Sequence, residues 1–359
     1  MATSKVERLR WGQLRLSTKL CFLGLLLLLL VGCAEIASRI YWSACQGARG
    51  ADAAAIRRTF YPEMATSGID QVAPGHTDDS FDVLLLGGSV VYPAFGKISE
   101  RLEPALQEKL GRKVRVVNLS YPGRTSLDSR LKYEDAADKR WDLVLVYHGI
   151  NDVYLNNCPP GKFRPNYAHA YRRYGAQYDL RRHPEVGFFE LPFTLAFLAK
   201  SLPEHWELTS APGKNFQRYG NDIRTPPSFE ANLEAIAAAA EKRGDPVVLG
   251  TFAYYLPANY TEEAFRAKAL DYGTHSCPAT MWGEAPNVAR TLDLHNEAVR
   301  RVATRHGLTL IDQRANMPDG KRYYNDLCHL TDEGCARWVE NVMSGLDLSK
   351  IGTSTSRDR

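Results

Sequence analysis

Ser89, Asp326 and His329 are the residues whose types and settings could carry covalent chemistry. Ser89 closes the stretch Phe81-Asp82-Val83-Leu84-Leu85-Leu86-Gly87-Gly88-Ser89. A hydroxyl at the end of an apolar strand can attack a carbonyl carbon if a neighbouring base takes its proton. Asp326 and His329 stand three apart in Tyr323-Tyr324-Asn325-Asp326-Leu327-Cys328-His329. In a turn, that spacing lets a carboxylate reach an imidazole, orient it and stabilise its charged form. A serine early, with the aspartate and histidine late, is one chain order for a triad. Gly123 in Tyr121-Pro122-Gly123-Arg124 and Asn151 in Gly149-Ile150-Asn151-Asp152 supply a bare backbone N–H and a side-chain amide. Each piece also has an ordinary reading: Ser89 as a helix N-cap, Gly123 as a turn residue, Asn151-Asp152 as an N-cap pair, His329 as a surface histidine near a helix start.

The elements that must position these groups follow from the apolar pattern. Residues 81–87 form a run apolar on both faces, as a central parallel strand requires. Lys97 to Leu110 has a helical period, with Gly111 ending it. Lys113–Leu119 and Asp142–Tyr147 are further strands, with a helix over Ser126–Arg140 between them. Helices over Ser228–Arg243, Glu284–Arg305 and Thr331 or Asp332 to about Met343 alternate with strands over Pro246–Phe252 and Leu308–Asp312. Strands alternating with helices predict an α/β fold: a doubly wound, flavodoxin-like three-layer sandwich with a five-stranded parallel sheet. The loops carrying Ser89, Gly123 and Asn151 would then leave one sheet edge, where such folds bind ligands. Gly96-Lys97 is followed by Ile98, so there is no phosphate-binding P-loop, and no GxGxxG follows the first strand.

These motifs together resemble the SGNH (GDSL-type) hydrolase family. Gly88-Ser89 resembles its first block, Gly123 the glycine of its second, Gly149-Ile150-Asn151-Asp152 the G-x-N-D of its third, and Asp326-Leu327-Cys328-His329 the D-x-x-H of its last. They occur in order over about residues 81–345. The departure is Gly88, where the family name has Asp. The resemblance implies a serine esterase in which Ser89 attacks an ester carbonyl, His329 relays the proton and Asp326 holds His329. An oxyanion hole would come from the N–H groups of Ser89 and Gly123 and the amide of Asn151. Asp152 is expected to brace its loop. No metal or cofactor is implied. The expected substrate is an acyl-ester small molecule or acylated glycan, with an O-acetylated envelope polysaccharide as one candidate. An O-acyltransferase, or an inactive envelope-binding domain, is the alternative.

The N-terminus carries Lys5, Arg8, Arg10, Arg15 and Lys19 against one Glu7, then the apolar run Leu20–Ala34. Basic residues before such a run predict a cytoplasmic N-terminus and translocation of the chain beyond it. Three readings stand. The segment is a transmembrane helix if extended through Ile40 to Trp42, with Glu35 and Arg39 paired on one face. It is a lipoprotein signal if Leu30-Val31-Gly32-Cys33 is a lipobox with Cys33 lipidated. It is otherwise a cleaved signal peptide. The expected layout is a basic cytoplasmic tail (1–19), anchor or signal (20–42), lead-in (43–80), hydrolase domain (81–345) with a lid-like insertion (155–226), and a flexible tail (346–359). The catalytic domain would be extracytoplasmic, in the periplasm or at the cell surface.

The net charge of +4 lies largely in the tail and one arginine-rich segment, so no nucleic-acid footprint is present, and nothing identifies a protein partner. Of seven cysteines, Cys158 and Cys277 lie in irregular segments beside proline, either paired or free. No Cys/His spacing marks a zinc site. Histidines 148, 169, 183, 205, 275, 295 and 306 fit no catalytic pattern and are expected mostly on loops or polar helix faces. The insertion is rich in Tyr, Arg and Pro, including Tyr167, Tyr174 and the apolar stretch from Phe188 to Leu198. It is expected partly to cover Ser89 and partly to form its own small core.

Overall fold

The computed structural model describes residues 15–45, 53–73, 79–159, 161–170, 172–199 and 222–347. Lys5, Arg8 and Arg10, residues 200–221 of the insertion and residues 348–359 of the tail lie outside the described residues.

Five strands form one parallel sheet: β1 (Phe81–Gly87), β2 (Val114–Asn118), β3 (Leu143–Tyr147), β4 (Val247–Gly250) and β5 (Thr309–Ile311), in the order β2-β1-β3-β4-β5. This is the flavodoxin-like order, with its switch point between β1 and β3. β1 is buried along its whole length, which explains its unbroken apolar run. Its last residue, Gly87, pairs with Tyr147, the last residue of β3. The loops bearing Ser89 and Asn151 therefore leave the sheet at the same level. β2 and β4 end sooner than the apolar runs that mark them, because the chain leaves the ladder before its hydrophobic side chains run out, whereas β3 ends at Tyr147 as its run does.

The layers are built from α2 (Ile98–Leu110), α3 (Ser126–Asp135), α4 (Pro226–Arg243), α5 (Ala285–His306) and α6 (Asp332–Gly345), which follow the N-terminal helix α1 (Leu16–Ile40). α2 and α6 pack together and bury Ile98, Leu102, Leu106, Trp338 and Val342 in one core with Val83, Leu85 and Leu145. α4 lies between α3 and α5 to make the second layer. α3 stops at Asp135 rather than Arg140, where Ala136 leaves helical geometry.

Contacts divide the chain into two compact units, one within Met1–Phe60 and Ala176–Glu204 and the other within Tyr61–Gly175 and His205–Arg359. The second contains the sheet. In the first, Trp42, Ile56, Leu180, Val186, Phe193 and Phe197 form a small core, with Trp42 stacked on Phe193 at 5.4 Å. The aromatic residues of this part of the insertion thus pack into a core of their own. The Glu35 carboxylate accepts the N–H groups of Glu190 (3.1 Å) and Leu191 (2.9 Å) at the start of helix 191–199, and pairs with Arg39 at 2.8 Å. Arg39 in turn donates to the Phe188 carbonyl. α1 has 25 residues. At ~1.5 Å per residue it exceeds the ~30 Å hydrocarbon thickness of a bilayer. Its leucines are exposed, so one helix among the described residues is long and apolar enough to cross a membrane or serve as a signal sequence. Cys33 lies inside this helix.

Two histidines expected on loops or polar faces are buried. The ring of His148 meets Ser129 Oγ at 2.6 Å, and that of His295 meets Thr225 Oγ1 at 3.0 Å while stacking on Phe229. Burial pushes both rings down to about 3. It pushes the fully enclosed Asp152 carboxyl up to about 7. The signs oppose. As pH falls below 6.5, each histidine takes a proton only in the unfolded chain, so stability present above that pH is lost on the way down. Asp152 holds its proton in the folded chain up to about 7, which favours folding at lower pH. Two rings against one carboxyl leave a net loss of ~1.4 kcal/mol per pH unit between about pH 6.5 and 4. Urea unfolding at pH 5 and 6 should show His295→Gln lowering the pH slope by ~1.4 kcal/mol per unit, whatever it does to absolute stability. Equal slopes in the two proteins would contradict a neutral buried His295.

Candidate active site

β1 ends in a bend that only small residues allow. A Cβ on Gly87 would overlap Val91, and one on Gly88 would stand 2.5 Å from Asn151 Nδ2. A short 3-10 turn, Ser89–Val91, follows and delivers Ser89 just past the strand end. The absence of the carboxylate that the family pattern has at position 88 thus has a steric counterpart here: the amide of Asn151 occupies the space beside Gly88. Asn151 Nδ2 also donates to the Arg124 carbonyl at 2.8 Å, which leaves its second amide hydrogen for another acceptor. Gly123 has φ +73, a conformation that disfavours side chains, and its Cβ position is open.

The Asp326–His329 turn arrives from the other end of the chain. It is closed by an antiparallel bridge between Tyr324 and Leu330, and by Asn325 N–H donating to the His329 carbonyl at 2.7 Å. α6 begins immediately after it, with the Thr331 hydroxyl accepting the Gly334 N–H. His329 Nε2 lies 2.9 Å from Ser89 Oγ, and His329 Nδ1 lies 2.9 and 3.1 Å from the two Asp326 oxygens. Asp326 is fully buried and accepts three backbone N–H groups, from Cys328 (3.0 Å), His329 (2.9 Å) and Cys277 (3.1 Å). Burial opposes a charged ring at His329, but its partners outweigh this and hold the imidazole above its ordinary value. Cys328 is beside it, yet burial pushes that thiol up to about 11. Near neutral pH the sulfur is therefore uncharged, and the Asp326 carboxylate is what stabilises the imidazolium.

The structure therefore brings together every residue singled out from the sequence: Ser89, His329 and Asp326 in one hydrogen-bonded chain, with Gly123 and Asn151 on the loops that flank the β1 end. Asp152 braces its loop from beneath: its carboxylate accepts the Ser126 N–H (2.9 Å), the Ser126 hydroxyl (2.6 Å) and the Tyr167 hydroxyl (3.1 Å). Tyr174 likewise bonds Asp128 and Thr125. Both tyrosines are buried supports for these loops, not surfaces over Ser89. Cys158 and Cys277 are free rather than paired. Cys158 sits where its own carbonyl receives Arg224, whereas the Cys277 main chain is bonded to Asp326. Among the described residues, Cys277, Asp326 and His329 form the group with metal-ligating potential.

Two features were not read from the sequence. The first is the aromatic surround. Phe95, about half exposed, stacks on the His329 ring at 5.2 Å, Trp282 lies 6.3 Å from the same ring, and Tyr92 meets Tyr121 edge-on at 5.3 Å. The signal available was position, since Tyr92 and Phe95 follow closely on Ser89. The second is a buried ionic knot behind Gly123. Arg124 makes two hydrogen bonds to Glu63, at 2.8 and 2.9 Å, and Lys132 Nζ adds a third at 3.1 Å while also bonding the Leu119 carbonyl. Arg124 also lies over the Tyr61 and Tyr121 rings. Since the Arg124 carbonyl receives Asn151, Glu63 fixes the loop that both Gly123 and Asn151 depend on.

The GDSL-like lipase/acylhydrolase family model matches residues 85–337. No curated protein matches the chain. Among solved structures it is similar to an acetylxylan esterase from Geobacillus stearothermophilus (16% identity, 80% of this chain and 99% of that one, TM-score 0.42). It is also similar to an alpha/beta hydrolase from the metagenome of Lake Arreo, Spain (17%, 74% and 94%, 0.43). A third is a lipase/acylhydrolase from Enterococcus faecalis (16%, 73% and 93%, 0.38).

Glu63→Gln leaves two buried cations short of their shared counter-charge. It should destabilise the protein by ~3 kcal/mol, at the low end for breaking a buried pair, because burial already lowers the Lys132 affinity for its proton and the ammonium can discharge. The urea midpoint measures this; a change below ~1 kcal/mol would show that the knot is not what holds the loop.

Proposed function

The chain belongs to the GDSL-like lipase/acylhydrolase family and is an ester hydrolase, and we propose that it acts as a membrane-tethered, extracytoplasmic serine esterase through Ser89, His329 and Asp326. The observation that carries the assignment is the unbroken run of contacts from Ser89 Oγ through both ring nitrogens of His329 to a buried carboxylate.

The mechanism follows from those contacts. His329 Nε2 accepts the Ser89 proton as Oγ attacks the ester carbonyl carbon. Asp326 keeps the Nδ1 proton in place and stabilises the imidazolium that forms. The carbonyl oxygen becomes an oxyanion, which receives the N–H groups of Ser89 and Gly123 and the free amide hydrogen of Asn151. Collapse expels the alcohol with the proton from His329. Water then repeats the sequence on the acyl-enzyme, with His329 as its base. Three main-chain N–H groups point at the buried Asp326 carboxylate, which keeps it oriented toward His329 Nδ1.

The substrate we propose is an O-acyl ester with carbohydrate as the alcohol. The support is the exposed ring of Phe95 against His329, with Tyr92 and Tyr121 beside it, which suits the apolar face of a sugar. Tethering is supported by α1 and by the basic residues before it. An O-acyltransferase uses the same groups, with a sugar hydroxyl in place of water. The intact hydrogen-bonded chain favours a working enzyme over an inactive binding domain.

A fluorophosphonate probe should label the full-length protein in detergent, and Ser89→Ala should lose both the label and hydrolysis of p-nitrophenyl acetate. Undiminished hydrolysis by that variant would remove Ser89 as nucleophile. Asn151→Ala should lower kcat by roughly 10²–10³-fold, as loss of one oxyanion donor does. A change confined to KM would assign Asn151 to binding instead.

A further inference from the structure

Beside the proposed proton relay stands a ligating group that the relay does not use, the thiol of Cys277. Its sulfur, an Asp326 oxygen and a His329 ring nitrogen all lie within 4.8 Å of one another. Cys277 is partly exposed while the other two are buried, so an ion can reach the cluster from the Cys277 side. The Cys277 main chain is held beside the carboxylate, because its own backbone N–H donates to Asp326 Oδ2 at 3.1 Å. Nothing in the spacing of the sequence hints at this group: Cys277 comes from an irregular segment about fifty residues before the turn it meets.

We propose that Cys277, Asp326 and His329 form an inhibitory site for a thiophilic divalent cation, with Zn²⁺ the natural occupant. Thiolate, carboxylate and imidazole are the ligands zinc takes, at ~2.0–2.3 Å, and three protein ligands leave the fourth position to water. Ligand atoms around tetrahedral zinc stand somewhat under 4 Å apart, so spacings up to 4.8 Å are within roughly 1 Å of what the ion needs. The charges balance: one thiolate and one carboxylate neutralise the dication, which suits a largely buried position.

Binding there inhibits through the position of one proton. His329 Nε2 faces Ser89 Oγ and Nδ1 faces Asp326, so the metal takes Nδ1. Cys277 releases its thiol proton to solvent. The ring proton on Nδ1 moves to Nε2, and the imidazole stays neutral. Its N–H then points at Ser89, so the ring donates to the hydroxyl and has no lone pair left to take its proton. The inhibitory half of the proposal rests on His329 being the base in ester hydrolysis; the binding half does not.

The experiment uses the full-length protein in detergent, stripped of metal with EDTA, and two readouts. Co²⁺ in place of Zn²⁺ should give a near-ultraviolet thiolate-to-cobalt absorption band at one ion per chain. Micromolar Zn²⁺ should lower p-nitrophenyl acetate hydrolysis at least about tenfold, reversibly with EDTA. In Cys277→Ser the band should vanish and the ratio of rates without and with zinc should fall below about two, whatever the basal rate. Should Cys277→Ser fail to fold, iodoacetamide labelling of Cys277 in the unaltered protein serves instead, and Zn²⁺ should slow it. A missing cobalt band, equal zinc inhibition of the variant, or labelling indifferent to zinc would overturn the site. If no ester is hydrolysed, the cobalt band still decides the site, while the hydrolytic reading fails separately.

Discussion

The carboxylate of Asp326 is the fixed point on which the proposed proton relay depends. It is buried, and a buried carboxylate is costly unless its charge is met by donors. Here the donors are main-chain N–H groups of Cys277, Cys328 and His329, together with the His329 ring. Main-chain donors cannot swing away, so the charge is stabilised without loss of position. The ring of His329 is therefore aimed by backbone geometry at one end and meets Ser89 at the other. The turn presents the amides of Cys328 and His329 to its own aspartate, and the Tyr324–Leu330 bridge and the immediate start of α6 hold that turn closed.

Strand order does the rest. With β1 between β2 and β3, the segments after all three strands leave one edge of the sheet, and each carries one group of the proposed site. The two sides of the site are stiffened differently. The His329 side relies on hydrogen bonds within a turn. The Gly123–Asn151 side relies on charge, through Glu63, Arg124 and Lys132 under the loop, and on Asp152 with its hydroxyl partners under the next. A rigid site for a developing oxyanion needs donors already in place before the charge appears. Buried supports of this kind are one means of keeping them there.

Much of this was legible in the sequence, for a physical reason. β1, the G-x-N-D loop and the Asp326–His329 turn are local: period, glycine and short spacing specify them, and their convergence follows from the parallel order. The supports are not local. Glu63 meets Arg124 across 61 residues, and Tyr167 meets Asp152 from within the insertion. No pattern in either segment marks these pairings. Histidines 148 and 295 looked ordinary because a neutral ring with one hydroxyl partner leaves no periodic trace when it replaces an apolar core residue. Cys158 and Cys277 looked pairable because both lie in loops beside proline, but composition does not say where a loop leads.

The apolar N-terminal helix has a consequence of a different kind. Its Glu35 closes the amide end of helix 191–199, and its Arg39 holds the carbonyl of Phe188. The helix is thus a structural neighbour with an address, not an interchangeable tether. A chimera carrying another leucine-rich span of equal length would keep whatever affinity for lipid the original has and yet leave two N–H groups uncovered in a folded part of the protein. Modularity ends at Glu35: the leucines before it could be exchanged freely, and the turn that contains Glu35 and Arg39 could not.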